Sequence, residues 1–258
     1  MTGDLLSIGS GGLVGFALGL LGGGGSILAV PLLVYVVDVR SPHVAIGTSA
    51  LAVAANAFVG LIAHSRAGTV KWPCAATFAA AGVAGALVGA QLGKMVDGQR
   101  LLFLFGLVML AVAAAMFSPR AAGGYPGVRI DRAIALRLVA TGLLVGLLSG
   151  FFGIGGGFLI VPAIMLGSGM ATINAVGCSL VSVGTFGLAT ALSYAWAGMV
   201  DWRVAGLFIL GGIGGGLMGV ALARRLAGRR GLLTRLFAGV VVVVAGFILW
   251  RSAPRIFG

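Results

Sequence analysis

Two glycine clusters, at residues 22–25 and 153–157, are the part of this sequence best suited to hold an anion. Each cluster interrupts a long apolar segment, and clustered glycines break a helix. The helical piece after the break then presents unpaired backbone N–H groups and the positive end of its dipole, which together attract anions. In the alternative interpretation, these glycines only let neighbouring helices pack closely.

Small polar side chains near predicted helix starts could add donors to such a site. Thr48 and Ser49 lie in the first half of the chain, and Ser179 and Ser182 lie in the second. Helix capping and hydrogen bonding between helices are the alternative roles of these hydroxyls. Cys178 stands where the first half has Thr48, and we expect it to pack rather than to act as a nucleophile. The predicted substrate-binding residues are Gly22, Gly23, Gly24, Gly25, Ser26, Thr48, Ser49, Gly153, Gly155, Gly156, Gly157, Cys178 and Ser179.

Carboxylates are missing from the apolar segments. All five acidic residues fall in predicted termini or loops: Asp4, Asp38, Asp97, Asp131 and Asp201. Proteins that carry cations or protons commonly place such groups at mid-membrane depth, so the pattern favours an anionic or neutral solute. His43 and His64 fall near segment ends, and the two histidines and two cysteines lack the spacing of a metal or catalytic site. We therefore expect no enzyme, no metal and no cofactor.

Membrane-spanning helices must position these residues. Of the 258 residues, 60% are apolar and 9% are charged, which leaves too little polar surface for a water-soluble domain. The sequence predicts an all-α, multi-pass membrane protein. Its apolar segments lie at about 5–37, 43–64, 73–95, 100–118, 135–166, 171–197, 204–223 and 232–250. The first would make roughly 50 Å of helix, more than a bilayer needs, so we expect the first and fifth segments to be discontinuous at their glycines.

Basic residues outnumber acidic ones by 17 to 5, which gives a net charge of +12. In a soluble protein this balance would suggest a nucleic-acid partner. Here the basic residues flank apolar segments, where they hold loops on the anionic side of the membrane. The expected partners are membrane lipid and a small anion, with no nucleic acid, and a homodimer is left open. Trp72 and Trp202 are expected to anchor in the headgroup region.

The sequence contains an internal repeat. Pro31 aligns with Pro162, and Trp72 aligns with Trp202 in the matching turns AGTVKW and AGMVDW. The offset between the halves changes from 131 to 130 residues, which one deletion explains. We therefore divide the chain into an N-terminal membrane repeat at 1–118, a polar linker at 119–133 and a C-terminal membrane repeat at 134–258.

Two topologies fit the long segments. If each crosses the membrane once, the protein has eight spans with parallel halves, and Lys and Arg divide nine to eight between the two sides. If each is a re-entrant hairpin, three full spans remain per half, the second half is inverted, and the division becomes eleven to six. The positive-inside rule favours the second arrangement.

The two glycine-rich stretches, GLLGGGGSILAVPLL and GLLSGFFGIGGGFLIVPAIM, are each followed by a Gly-x-Ser helix start and an AG-x-V-x-W turn. This set resembles the TauE/SafE sulfite exporter family over nearly the whole chain. The resemblance implies a permease for sulfite, organosulfonates or related anions in the bacterial inner membrane. We expect it to be a secondary transporter that works by alternating access. An anion channel or facilitator is the alternative; an intramembrane enzyme and a membrane assembly factor are weaker ones. Ser26 stands where the second repeat has Gly157, so the two half-sites are not expected to be equivalent.

Overall fold

The computed structural model describes residues 2–117, 128, 130–153, 157–225 and 230–252. These residues are almost entirely helical. The elements are α1 (Thr2–Leu21), a 3-10 helix (Gly22–Leu28), α2 (Ala29–Tyr35), α3 (Pro42–Arg66), α4 (Trp72–Met95), α5 (Gly98–Phe117), α6 (Arg132–Phe152), α7 (Gly157–Ser168), α8 (Thr172–Trp196), α9 (Trp202–Arg225) and α10 (Arg230–Ser252).

Within the described ranges, six helices are long and apolar enough to cross a bilayer: α1, α3, α4, α6, α8 and α9. This confirms the predicted all-α, multi-pass class. Prolines at the first turns of α3 and α4 fit helix starts, because a first-turn N–H has no partner within the helix. Most of the predicted linker at 119–133 lies outside the described residues.

Both long apolar segments are interrupted at their glycines. α1 ends at Leu21, and the 3-10 helix begins at Gly22. α6 ends at Phe152, and Gly153 follows with a φ of 66°, a left-handed conformation that glycine adopts without strain. α1 and α6 are nevertheless full-length helices of 20 and 21 residues, so each break follows a complete span rather than dividing one into two short pieces.

Helix directions distinguish the two topologies. α1 runs parallel to α9, because a Cβ on Gly11 would meet the backbone of Phe208 and a Cβ on Gly19 would meet that of Gly216. α3 also runs parallel to α9, since its residues 48 and 56 contact residues 201 and 212 in the same order. α1 and α3 therefore point the same way, and the chain at 22–41 runs back through the bundle between them.

The second half is arranged likewise. α6 runs parallel to α4, with Leu143 beside Gly85 and Phe151 beside Gly93. α8 is also parallel to α4, since Cys178 bonds to the turn before α4 and Ser193 bonds to the last turn of α4. Between α6 and α8, the described residues 157–171 therefore also run back. The first segment of each half therefore turns back as in the hairpin topology that the charge distribution favoured. Its first helix is a full-length span, however, and not the short re-entrant arm that we expected.

The bundle has two ends, which we name by their residues. The N-terminal face contains the start of α1, the turn at 36–41 and the turn at 197–201. The opposite face contains the turn at 67–71 and the start of α8. Along the interface of α1 with α9, and of α4 with α6, glycines place helix backbones in direct contact, as small residues commonly do in membranes. α3 and α8 cross antiparallel at the centre, where Gly60 meets Leu180 and Gly187 meets Ala54.

Candidate functional site

The first break packs against the helix that precedes it. A Cβ on Gly25 would lie 2.5 Å from the carbonyl carbon of Ala17, and closer still to the backbone of Leu18. Ser26 is fully buried. The 3-10 helix also contacts α7 and α8. Gly22, Gly23 and Gly24 belong to this 3-10 helix, so the break turns the chain tightly against the last turns of α1.

The second break lies against α3. The carbonyl of Gly153 accepts a hydrogen bond from Ser49 Oγ at 3.4 Å, and its N–H donates to the carbonyl of Ser149. A Cβ at Gly153 would collide with the side chain of Ile46. Gly157 is buried and begins α7. Two other residues of the predicted site, Gly155 and Gly156, lie outside the described residues.

The described glycines of the two clusters lie far apart along the membrane normal. Gly25 packs beside Ala17 and Leu18, at the level of Gly216 in α9, whereas Gly153 packs beside the start of α3, at the level of Asp201. The 15 residues of α9 between those levels span about 22 Å. The two breaks therefore lie near opposite faces of the bundle. The 3-10 helix, which contains the first break, and α7, which follows the second, run inward and contact each other.

Thr48 and Cys178 bond to turns of the opposite half. Thr48 Oγ1 accepts a hydrogen bond from the backbone N–H of Asp201 at 3.0 Å. Cys178 Sγ accepts one from the N–H of Lys71 at 3.2 Å. Both side chains are fully buried, and both hold the turn that leads into a helix of the other half. Their predicted contact with substrate stays a prediction.

Ser49 and Ser179 occupy equivalent positions in α3 and α8. Ser49 Oγ donates to the carbonyl of Ile46 at 2.9 Å, and Ser179 Oγ donates to that of Val176 at 2.8 Å. Both are fully buried. A hydroxyl that donates to its own helix keeps its lone pairs available as acceptors, and it can redirect its hydrogen to a ligand by rotating.

The central helices also carry polar groups without a protein partner. The amide of Asn56 in α3 is only 8% exposed, and neither its nitrogen nor its oxygen has a hydrogen-bond partner among the described residues. The hydroxyls of Ser182 and Thr190 in α8 are likewise buried and unpartnered. Our sequence analysis missed Asn56. The available signal was its polarity, since it is an amide in the middle of an otherwise apolar stretch of α3.

All five carboxylates lie at or beyond helix ends, as predicted. Asp131 caps α6 by accepting the N–H of Ile134 at 2.7 Å, and Asp201 accepts the N–H of Val204 at 3.0 Å. Asp4, in the first turn of α1, pairs with Arg203 at 3.0 Å. The described interior of the bundle therefore offers donors and no carboxylate. This is the arrangement expected around an anion.

A family model covers almost this entire chain. The model described as "Sulfite exporter TauE/SafE" matches residues 7–248. The chain belongs to the TauE/SafE family. It is therefore a multi-pass membrane transporter of that family, and the resemblance drawn from its glycine breaks and AG-x-V-x-W turns is confirmed.

Relatives agree with this assignment. A "Probable membrane transporter protein" of Xylella fastidiosa strain 9a5c is 53% identical over 251 residues, covering 96% of this chain and 95% of the relative. Its counterpart in strain Temecula1 is 52% identical over the same share of both chains. YunE of Bacillus subtilis strain 168, also described as a probable membrane transporter protein, is 28% identical over 83% of this chain and 87% of its own. No solved structure matches the chain.

Proposed function

We propose that this TauE/SafE protein is a secondary permease for a small sulfur-containing oxyanion, sulfite or an organosulfonate, and that it works by alternating access. The observation that carries the proposal is the set of buried, unpartnered donors along α3 and α8 in an interior whose described part holds no carboxylate. The description of the matching family, sulfite exporter, supplies the class of anion.

The donor argument is energetic. An amide or hydroxyl buried without a partner costs roughly 1–3 kcal/mol, so unpartnered groups in a membrane interior indicate a ligand that completes their hydrogen bonds. Asn56 and Ser182 lie at neighbouring levels of the antiparallel α3 and α8, because Phe58 meets Gly184 between them. An oxyanion has several acceptor oxygens and can bridge such donors as it passes.

We also propose that the halves are inverted repeats. Matched contacts support this. Thr48 bonds to the Asp201 turn as Cys178 bonds to the Lys71 turn, and each residue of the first pair lies 130 residues from its counterpart. Likewise, a Cβ on Gly212 would strike the side chain of Asn56, and one on Gly82 would strike that of Phe186, again at a spacing of 130.

Two hairpins that turn near opposite faces support the proposal of alternating access. In an inverted repeat, each hairpin adopts in one state the arrangement that its counterpart adopts in the other, so exchange of the two arrangements opens one face and closes the other. The hairpin topology divides Lys and Arg eleven to six, and the positive-inside rule then assigns the face with Arg66 and Lys71 to the cytoplasm.

Uptake into proteoliposomes tests the function. We expect saturable flux of sulfite or a sulfonate, accelerated when the same anion is present on the far side, because a carrier exchanges faster than it returns empty. Na⁺ and amino acids should not compete. Single-channel conductance in planar bilayers would show that the protein is a channel and not a permease. Purified protein that moves none of sulfite, sulfonates, sulfate and thiosulfate would refute the proposal.

A pair of asparagines provides matched variants. Asn56→Ala removes the unpartnered amide and should reduce flux about tenfold or more without lowering the unfolding temperature. Asn174→Ala removes an amide of similar burial whose Nδ2 donates to the carbonyl of Thr69 at 2.9 Å, so it should lower stability and leave flux per folded molecule unchanged. Full flux in a folded Asn56→Ala protein would show that Asn56 does not bind the transported anion.

A further inference from the structure

A cluster of polar side chains at the N-terminal face, formed by Lys94, Tyr194 and His43, has no role in the helix contacts described above. Lys94, in the last turn of α4, is half-buried, and its Nζ donates to the carbonyl and hydroxyl of Ser193 at 3.2 and 3.1 Å. An ammonium has three N–H donors, so one remains. No described carboxylate lies within ion-pair distance of it.

Two further polar groups beside Lys94 lack protein partners. Tyr194 is fully buried, and its hydroxyl has no hydrogen-bond partner in the described chain. Its ring centroid lies 5.8 Å from Lys94 Nζ and 6.5 Å from the ring of His43. His43 Nδ1 is also buried and unpartnered. A cation, a phenol and an imidazole from three different helices thus meet at one place.

Small residues make room for this cluster. A Cβ on Gly93 would lie 3.2 Å from the Tyr194 hydroxyl and would run into the carbonyl of Phe151, so the hydroxyl points toward the end of α6. A Cβ on Gly47 would lie 2.8 Å from Tyr194 Cβ. The cluster therefore adjoins the second glycine break, two residues beyond Phe151.

Two carboxylates at this face, Asp97 and Asp201, cap helix starts. Asp97 Oδ1 accepts the N–H groups of Gln99 and Arg100 at the start of α5, at 3.0 and 3.2 Å. Asp201 Oδ1 accepts the N–H of Val204 at the start of α9. Neither pairs with Lys94.

The opposite face has no equivalent cluster in the described residues. By the repeat spacing, His64 is the counterpart of Tyr194, and its Nδ1 lies 3.0 Å from Thr69 Oγ1. Ile173 is the counterpart of His43, and Ala63 that of Ser193. By the same spacing Arg224 is the counterpart of Lys94, so the repeat keeps a basic residue there but lacks the phenol and the imidazole at the positions of Tyr194 and His43, and the fold does not require this combination of groups at both faces.

We propose that Lys94, Tyr194 and His43 form an oxyanion-binding station at the N-terminal face, which holds one small sulfur oxyanion beside the second glycine break. The proposal rests on the proposed function and names a site for its substrate. The ammonium supplies charge and one free N–H, and the Tyr194 hydroxyl supplies a directional donor. A half-buried cation without an ion-pair partner among the described residues and an unpartnered buried donor are both satisfied by the same ligand.

Binding of sodium sulfite to the full-length protein in detergent tests the station, with the apparent Kd taken from the sulfite-dependent rise in unfolding temperature. Lys94→Met keeps the aliphatic length and removes the charge, and should weaken binding about tenfold; Tyr194→Phe removes only the hydroxyl and should weaken it about threefold. Tyr194→Phe should not lower the unfolding temperature without ligand. Lys94→Met should lower it only by the loss of its two hydrogen bonds to Ser193, so Kd is compared between folded proteins. Arg203→Met is the matched control, because Arg203 is an exposed cation at the same face, and it should change Kd by less than about twofold.

Several outcomes would overturn the station. Lys94→Met with wild-type Kd would do so while leaving the permease proposal intact, as would an equal loss in Arg203→Met, which would indicate bulk surface charge. Equal stabilisation by sodium chloride at the same concentration would refute the oxyanion preference. Absence of both binding and transport of every sulfur oxyanion by the wild-type protein would instead refute the permease, and the station with it.

Discussion

The side-chain hydroxyl of Thr48, in the second turn of α3, accepts a hydrogen bond from the backbone N–H of Asp201, 153 residues later, at 3.0 Å. The same relationship recurs between Cys178 and Lys71 at 3.2 Å. Each bond ties the start of a central helix to the turn preceding a helix of the other half. The equivalent side chains of Thr48 and Cys178 therefore connect the two halves by hydrogen bonds, one near each face of the bundle.

Replacement of Thr48 tests how much its hydrogen bond to Asp201 contributes to stability. Thr48→Val keeps the shape and removes the acceptor, so the partly buried N–H of Asp201 loses its partner and stability should fall by about 1–3 kcal/mol. Unfolding can be followed with a thiol-reactive dye, because Cys74 and Cys178 are free and buried in the folded protein. Thr48→Ser retains the hydroxyl and should melt close to wild type. A valine variant with the unfolding temperature of the wild type would show that the bond does not contribute to stability.

Adjacent glycines in α9 differ in their surroundings. A Cβ on Gly215 would collide with the carbonyl of Gly12 in α1, whereas a Cβ on Gly214 meets nothing within 4 Å. Gly215→Ala should therefore separate α1 from α9 and strongly reduce the yield of folded protein in size-exclusion chromatography. Gly214→Ala should have no effect or slightly favour the helix. Equal yields of the two variants would contradict the direct backbone contact.

A compensating pair tests the contact between α3 and α9. The three atoms nearest to a Cβ on Gly212 all belong to the side chain of Asn56. Gly212→Ala alone should therefore lower the unfolding temperature, and addition of Asn56→Ala should restore most of the loss. A double variant no more stable than Gly212→Ala would mean that other atoms at the site resist the methyl group. Transport is not the readout here, because Asn56 is also a proposed donor.

Cysteine labelling tests the hairpin at the start of the chain. Thr2→Cys and Asp38→Cys should react with an impermeant maleimide from the same side of the membrane, and Gly68→Cys only from the other. The buried native cysteines should stay unlabelled in the folded protein. Labelling of positions 2 and 38 from opposite sides would restore the single-crossing topology.

Neighbouring glycines of the first break separate binding from packing. The sequence predicts that Gly24 offers its N–H to substrate, so Gly24→Leu should reduce sulfite flux while the protein still inserts and folds. Gly25→Leu should instead prevent folding, because a side chain there would strike the backbone of Ala17 and Leu18. Wild-type affinity and rate in a folded Gly24→Leu protein would make the first break purely architectural. Gly155→Leu is the same test of the second break.

Apolar run length predicted the apolar segments and clustered glycine predicted both breaks, because both are local properties; that α1 and α6 are full-length spans was not predicted. The sequence left the topology open, since a charge count over a few short loops discriminates weakly. The separation of the two breaks could not be read from the sequence either. It depends on which helices run parallel, and that is set by glycine contacts between residues about 200 positions apart, such as Gly11 and Phe208.

The contacts of the polar residues could not be predicted from the sequence either. The repeat aligned Thr48 with Cys178, but nothing local indicated that both would bond to backbone N–H groups in turns of the opposite half. Asn56 escaped notice because one amide in an apolar helix forms no pattern. Lys94 is indistinguishable in sequence from a basic residue that fixes topology, and only the neighbouring Tyr194 and Ser193 give it another possible role.

The pairing of α1 with α9 has a consequence for how the protein is made. A ribosome finishes α1 at Leu21 and does not begin α9 until Trp202, about 180 residues later, which at roughly 5–20 residues per second is a delay of about 10–40 seconds. During that time the glycine-rich surface of α1 has only lipid or the insertion machinery beside it. α4 waits less, because its partner α6 begins at Arg132. The N-terminal half is therefore not finished when its last residue is translated; it is completed by a helix that belongs to the other half.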